Sequence, residues 1–266
     1  MTDHAAGRPM PRVRSFSAVR FVLLVAVGAL ILASVTQVGP SPDRLVSGLP
    51  RMGNLILRMS PPNLDPDFLV RVFWKLIETF QIAIAGTFIG IVLSVPISWL
   101  AARGITPVPA IAFLFKMIVS LFRTVPDLVW ALLFVSSVGL GAVAGTMTII
   151  VDTIGFCGRF FAEAMEDAEK EPQQALEAIG ASRFSILLAA VLPAALPSMI
   201  NTGLFSLEKA VRSSVVLGLV GAGGIGQELK VAFDLFQYRN AATIIITIFI
   251  VVVVMEYATD RLRARL

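Results

Sequence analysis

The sequence predicts an all-α polytopic membrane protein with about six transmembrane helices. Of its 266 residues, 56% are hydrophobic and 15% are charged, whereas about 25% of a soluble domain is charged. Four segments of 22 or 24 residues carry no charge, namely residues 21–42, 79–102, 128–151 and 184–207. A spanning helix needs about 20 apolar residues, so these runs exclude a soluble fold.

The first predicted helix follows a basic tail that contains Arg8, Arg12, Arg14 and Arg20. A basic tail of this kind precedes both signal peptides and retained first helices whose amino terminus lies inside. Because the apolar run is long and no clear small-x-small cleavage site follows it, we expect a retained helix.

We divide the chain into two parts. Residues 1–70 are predicted to hold the tail, the first helix and an extracytoplasmic segment, and residues 71–266 the transmembrane domain. Two structures remain open for the mixed segment 43–71, which Pro61-Pro62 interrupts: amphipathic pieces on the membrane surface, or a loop packed on the helices.

The second helix is predicted over residues 71–102. It contains Gly86 and Gly90, four residues apart. Small residues at this spacing let two helix backbones approach closely. The pair therefore predicts a face on which another spanning helix packs.

The third helix, residues 110–138, is interrupted at Pro126, with Arg123 and Asp127 on either side. Proline kinks a spanning helix and frees a carbonyl, and charge inside a membrane is costly. The two charged residues either line a pathway or form an i,i+4 ion pair at a helix end. The fourth helix is expected to end near Glu166, with Asp152 inside it.

The segment 171–193 is the longest water-facing helical candidate in the chain. Ala175, Leu176 and Ile179 form a narrow apolar stripe on a polar helix. Gly180 can end this helix in the left-handed conformation, and Ser182 can cap the next one. We expect something outside the membrane to meet the first of these helices.

The fifth helix is predicted to start near residue 184, to bend at Pro193 and Pro197, and to reach Arg212. The glycine-rich residues 213–226 are expected to form a broken or re-entrant segment buried by protein. A last helix over residues 241–255 leads to the basic tail with Arg261, Arg263 and Arg265. Six spans place both termini in the cytoplasm, and the basic ends agree with this orientation.

The sequence lacks the residues that disulfide, metal, catalytic and nucleotide-binding sites require. One cysteine, Cys157, excludes an internal disulfide framework, and the single histidine, His4, lies in the tail. We therefore expect no metal site, no cofactor and no catalytic site.

Residues 221–226 match the dinucleotide-binding pattern G-x-G-x-x-G, but position 246 is isoleucine rather than an acid and no βαβ unit surrounds the match. The chain also lacks a G-x-x-x-x-G-K-[ST] loop for ATP, and its net charge of +4 is that of a membrane protein rather than a nucleic-acid partner.

The segment 171–193 resembles the cytoplasmic signature of ABC-importer permeases, E-A-A-x3-G-x9-I-x-L-P. The matching positions are Gln174, Ala175, Leu176, Gly180, Ala190, Leu192 and Pro193. The glycine, the leucine and the proline are kept, whereas Gln174, Leu176 and Ala190 depart from the signature. Residues 123–134 and 212–229 look like the phosphonate-import branch, and methionine-type permeases share the GAGG-x-GQ element.

This resemblance implies a type I ABC-importer permease fold and a transport subunit that performs no chemistry. Residues 171–183 would form a coupling helix docked on a cytoplasmic ABC ATPase dimer. A second permease copy, an extracytoplasmic phosphonate-binding protein and membrane lipid would be the other partners, with no nucleic acid. The coupling contacts would come from Gln174, Ala175, Leu176, Glu177, Ile179 and Gly180, with Glu177 as a substitute for the glutamate that Gln174 replaces.

For a phosphorus oxyanion the pathway would need positive charge and N–H or O–H donors. The candidates that the resemblance brings forward are Arg123, Asp127, Lys209, Arg212, Ser213, Ser214, Gly221, Gly223, Gly224 and Gly226. The alternative is structural: Glu208, Lys209 and Arg212 pair with one another, and the glycines pack helices closely.

Rival functions are a permease for methionine or phosphate, an ATP-independent secondary carrier, and a membrane-embedded enzyme. The missing intramembrane histidine argues against the enzyme. A secondary carrier needs neither a coupling helix nor an ATPase, so co-purification with an ATPase distinguishes it.

Overall fold

The computed structural model describes residues 18–39, 42–106 and 108–263, and every regular element among them is a helix. Arg8, Arg12, Arg14, His4 and Arg265 lie outside the described residues. The chain divides into two compact units, with the boundary between Ile56 and Leu57.

The first unit contains helix α1 (Ala18–Val38) and most of helix α2 (Pro42–Met59). Helix α1 is apolar on all sides and long enough to cross a membrane, as the sequence predicts. Helix α2 is strongly amphipathic and has Pro50 in its interior. The mixed segment therefore includes one long amphipathic helix.

The second unit contains helices α3 (Pro66–Ala101), α4 (Pro109–Thr124), α5 (Asp127–Val138), α6 (Ala142–Glu166), α7 (Lys170–Ala178), α8 (Arg183–Ile186), α9 (Leu192–Gly218), α10 (Gly224–Asp234) and α11 (Tyr238–Arg263). Helices α3 and α4 begin at a proline. Proline suits the first helical turn because a backbone N–H there has no acceptor within the helix. The described chain has five candidate spans, or six when α4 and α5 count as one broken span.

Helices α3 and α6 pack at the two glycines that the sequence singles out. A Cβ at Gly86 would lie 2.6 Å from the Cβ of Ile149, and a Cβ at Gly90 would lie 2.5 Å from the Cβ of Thr153. Real Cβ atoms do not come this close, so only glycine permits this approach. The predicted packing face is confirmed, and α6 is its partner.

The kink in the third span is a sharp break. Helices α4 and α5 meet at an angle of 89°. Val125 has an extended backbone, as the residue before a proline prefers, and Pro126 has no N–H with which to continue the helix. The single kinked helix of the sequence prediction is therefore two helices.

The fifth span extends further than the sequence predicts, and the broken segment after it is shorter. Helical structure continues through Pro193 and Pro197, preceded by a π-helical turn over Leu187–Val191. The proline lacks an N–H for the carbonyl four residues back, and the wider turn lies where that carbonyl is released. Residues 213–218 continue α9 and are not part of a broken segment; only the turn 219–223 interrupts the chain before α10.

Candidate functional site

Helix α7 is nine residues long and stands between the ends of two spans. Gly180 has a φ of +81°, which favours glycine. The N–H of Ala181 donates to the carbonyl of Leu176 at 3.0 Å and closes the end of the helix. Ser182 then accepts from the N–H of Ser185 at 3.2 Å and caps α8. The predicted helix, glycine turn and cap are all confirmed.

The apolar stripe of α7 is divided between the protein and the solvent. Leu176 is half-buried and packs on the core formed by α3, α6 and the start of the fifth span. Ile179 is 79% exposed. Gln174, Ala175 and Glu177 are exposed as well, so they and Ile179 form the outward surface of the helix.

The segment that leads into α7 is held by a carboxylate at the end of α6. Glu166 accepts from the Lys116 ammonium at 2.7 Å and from the backbone N–H of Arg103 at 2.7 Å. Gln173 donates to the carbonyl of Glu169 at 2.9 Å. The bonds of Glu166 connect the end of α6, just before α7, to the turn after α3 and to the middle of α4.

Two ion-pair systems lie along α9. Lys209 donates to both carboxylate oxygens of Asp152 on α6, at 2.8 and 2.9 Å. Glu208 accepts from Arg212 at 2.8 Å and from Arg263 of α11 at 3.1 Å. Arg212 thus pairs as the structural alternative expects, but Lys209 has a partner on another helix.

Arg123 and Asp127 do not pair. Among the described residues Arg123 forms no ion pair, and its guanidinium lies 5.8 Å from the centre of the Phe160 ring. It lines a pocket of about 220 Å³ together with Lys116 and Arg159. Asp127 accepts from the N–H of Leu128 at 2.9 Å, at the start of α5.

The glycine-rich turn is buried against α3 and α6. The N–H of Gly224 donates to Glu78 at 3.1 Å, and the N–H of Ile225 donates to Thr79 at 2.8 Å. A Cβ at Gly223 would lie 2.8 Å from the backbone nitrogen of Ala142. These contacts favour close packing as the role of the glycines.

The other predicted donors are placed as follows. Gly221 is buried, its carbonyl accepting from the N–H of Gly141 at 2.9 Å. Gly226 is buried against α9. Ser214 is buried and donates to the carbonyl of Ala210, whereas Ser213 is half-buried.

Sequence reasoning missed a polar face on α9. Ser198, Asn201, Thr202 and Phe205 lie on one side of the helix at helical spacing. Together with Arg263 and two rings of α6 they line an open cavity of about 490 Å³. The spacing within an uncharged span was the available signal. The sequence gives no sign that Arg263 lines a cavity, because Arg263 lies in a basic tail with Arg261 and Arg265.

Comparison with known proteins agrees with this architecture. Residues 94–266 match the profile of the family described as binding-protein-dependent transport system inner membrane component. The phosphate-import permease protein PhnE of Mycolicibacterium smegmatis is 36% identical over 212 residues, which are 80% of this chain and 40% of that protein. The phosphite transport system permease protein PtxC of Stutzerimonas stutzeri is 35% identical over 221 residues, 82% of this chain and 79% of that protein.

The solved structures show the same fold. An inward-facing chain of the MetNI methionine ABC transporter superposes with a TM-score of 0.64 at 24% identity, covering 76% of this chain and 99% of that one. The helical architecture is therefore that of an ABC-importer permease, as the sequence predicts. With the family profile matched over more than half of its residues, the chain belongs to the binding-protein-dependent transport system inner membrane components.

Proposed function

We propose that this chain is the permease subunit of an ATP-driven importer for phosphonate or a related phosphorus oxyanion. The observation that carries the coupling role is helix α7, a short helix that presents a large apolar side chain, Ile179, almost entirely to solvent. A short helix with an exposed apolar contact is suited to binding in a groove of another protein. A cytoplasmic ABC ATPase dimer is the partner that we assign to it.

Coupling follows from the connections of α7. The helix is joined at one end to α6 and at the other to α8, and Glu166 connects the first of these ends to Lys116 of α4. ATP-driven closure of the ATPases would displace α7 and with it the inner ends of the spans. Packed helices respond to such displacements by hinge and shear movements between discrete states, here inward- and outward-facing ones.

The pathway is assigned to the side of the second unit that carries the polar face of α9. Four cationic groups lie here, namely Arg123, Lys209, Arg212 and Arg263. Asp152, Glu208 and Asp260 pair with the last three, whereas Arg123 forms no ion pair within the described residues. Guanidinium and ammonium groups suit an oxyanion, and lipid would not stabilise them. We infer that a second copy of the chain covers this side, related by a two-fold axis along which the substrate passes.

The remaining assignments complete the complex. An extracytoplasmic binding protein delivers the substrate, ATP is hydrolysed by the ATPase and not by this chain, and both termini face the cytoplasm in the inner membrane. Two relatives named for phosphate import and for phosphite transport support a phosphorus oxyanion as cargo. Methionine remains the second candidate, because methionine-type permeases share the GAGG-x-GQ element that residues 221–227 carry.

ATP hydrolysis by the reconstituted complex shows which substrate is transported. The permease, its ATPase and its binding protein are combined in nanodiscs, and hydrolysis is measured with methylphosphonate, phosphite, phosphate and methionine in turn. We expect stimulation by at least one of the three phosphorus oxyanions and none by methionine. Stimulation by methionine alone would show that methionine, the second candidate, is the substrate.

A further inference from the structure

We propose that the cavity between α6, α9 and the end of α11 is a transient binding site for the oxyanion during transport, with Arg263 and Asn201 as its principal ligands. This inference rests on the proposed function and assigns a place on the pathway where the substrate binds. The cavity has a volume of about 490 Å³. One wall is polar and belongs to α9; the other is formed by the phenyl rings of Phe156, Phe160 and Phe205.

One wall of the cavity belongs to a candidate membrane span. Asn201 lies at the middle of this 36-residue span, Arg183–Gly218. Its amide is exposed and makes no hydrogen bond to the described part of the chain. Lipid offers no partner for such a group, so polar groups at this depth face protein or a water-filled cavity. An amide left without a partner is available to a passing ligand.

The Arg263 guanidinium has a hydrogen-bond donor that its protein partners do not use. Its guanidinium lies 3.1 Å from Glu208 and 5.3 Å from the centre of the Phe205 ring. The Glu208 carboxylate is shared with Arg212, and Asp260, at 3.8 Å, is largely exposed. The Nε atom of Arg263 is buried and has no hydrogen-bond partner within the described residues. Arg263 therefore has one close carboxylate, which it shares with Arg212, and a second, solvent-exposed one in Asp260.

The chemistry of the lining selects a tetrahedral oxyanion with a small apolar substituent. Guanidinium and amide donors match the oxygens of a phosphonate or phosphite. Thr202 also lines the cavity, and its hydroxyl donates to the carbonyl of Ser198 at 2.9 Å. The phenyl wall accepts the carbon substituent. Because Glu208 already binds Arg263, the ligand is held weakly and leaves quickly, as transport requires.

Transport by proteoliposomes that hold the complete complex tests this site. The probes are labelled methylphosphonate, phosphite and phosphate, and the variants are Arg263→Gln and Asn201→Leu. We expect the maximum uptake rate at saturating binding protein to fall about tenfold in Arg263→Gln, since a charge-assisted hydrogen bond is lost, and several-fold in Asn201→Leu. The binding-protein concentration that gives half the maximum rate is unchanged, because docking occurs elsewhere.

The matched control is Arg261→Gln, the same loss of charge on the same helix. Arg261 stacks on Tyr257 at 4.5 Å and does not line the cavity; uptake by this variant stays at the wild-type rate. Arg263→Lys, which keeps the charge and loses the planar fork, gives an intermediate rate. Wild-type uptake by Asn201→Leu overturns the site whatever Arg263→Gln does. If the wild-type complex imports none of the three probes, the proposed function itself falls, and this site with it.

Discussion

Ile179→Asp is expected to release the ATPase and to lower ATP-driven uptake at least tenfold. The side chain is 79% exposed, so the substitution leaves folding unchanged, but it places a charge where an apolar groove must be filled. A tenfold loss corresponds to about 1.4 kcal/mol of binding free energy, a modest value for a central apolar contact. The measurements are co-purification of the ATPase and uptake by proteoliposomes.

Two control variants separate docking from other effects. Ile179→Leu keeps the apolar contact and should retain the ATPase. Phe236→Asp is the same kind of change at a side chain that is 74% exposed, in the turn between α10 and α11, and should also retain it. Leu176→Asp is a poorer test, because Leu176 packs on the core and its loss would affect folding. An Ile179→Asp complex that keeps its ATPase and full uptake would show that α7 is not the docking element.

Asp152→Asn is expected to destabilise the second unit by about 3 kcal/mol, because it leaves the Lys209 ammonium without its charged partner. The value lies at the lower end for a broken buried pair, since the Lys209 side chain is 36% exposed. For a domain of this size the melting temperature would fall by about 6–12 °C. Thermal unfolding of the purified protein in nanodiscs measures this.

The companion variant is the double substitution Asp152→Asn with Lys209→Met. Removing both charges restores a neutral contact between α6 and α9, so the double variant should melt at a higher temperature than the single one. Replacement of both members of an ion pair by groups of similar shape is often nearly neutral. Equal melting temperatures for the wild type and Asp152→Asn would mean that the pair contributes nothing to stability.

The features that the sequence predicts correctly are those with local physical signals. Helix α7, its glycine turn and the Ser182 cap depend on residues within a few positions of one another. Gly86 and Gly90 predict a packing face because small residues four apart in a membrane helix let another helix approach closely. The break at Pro126 follows from the missing N–H, although the angle of 89° does not.

The features that the sequence does not reveal are contacts between distant segments. Lys209 and Asp152 are 57 residues apart, and Arg263 and Glu208 are 55 apart. The turn at Gly224 binds Glu78 across 146 residues. Each pairing depends on how three or more helices pack, and no local pattern records that. Arg263 shows this best, because its place in a basic tail gives no sign that it pairs with Glu208 of α9.

The most direct test of the central claim is the energy requirement of transport. The permease is reconstituted with and without its ATPase in vesicles that enclose ATP, with the binding protein and labelled phosphite outside. We expect uptake only when ATP and the ATPase are both present, whatever proton or sodium gradient is imposed. Uptake by the permease alone, driven by such a gradient, would rule out an ATP-driven importer and identify a secondary carrier.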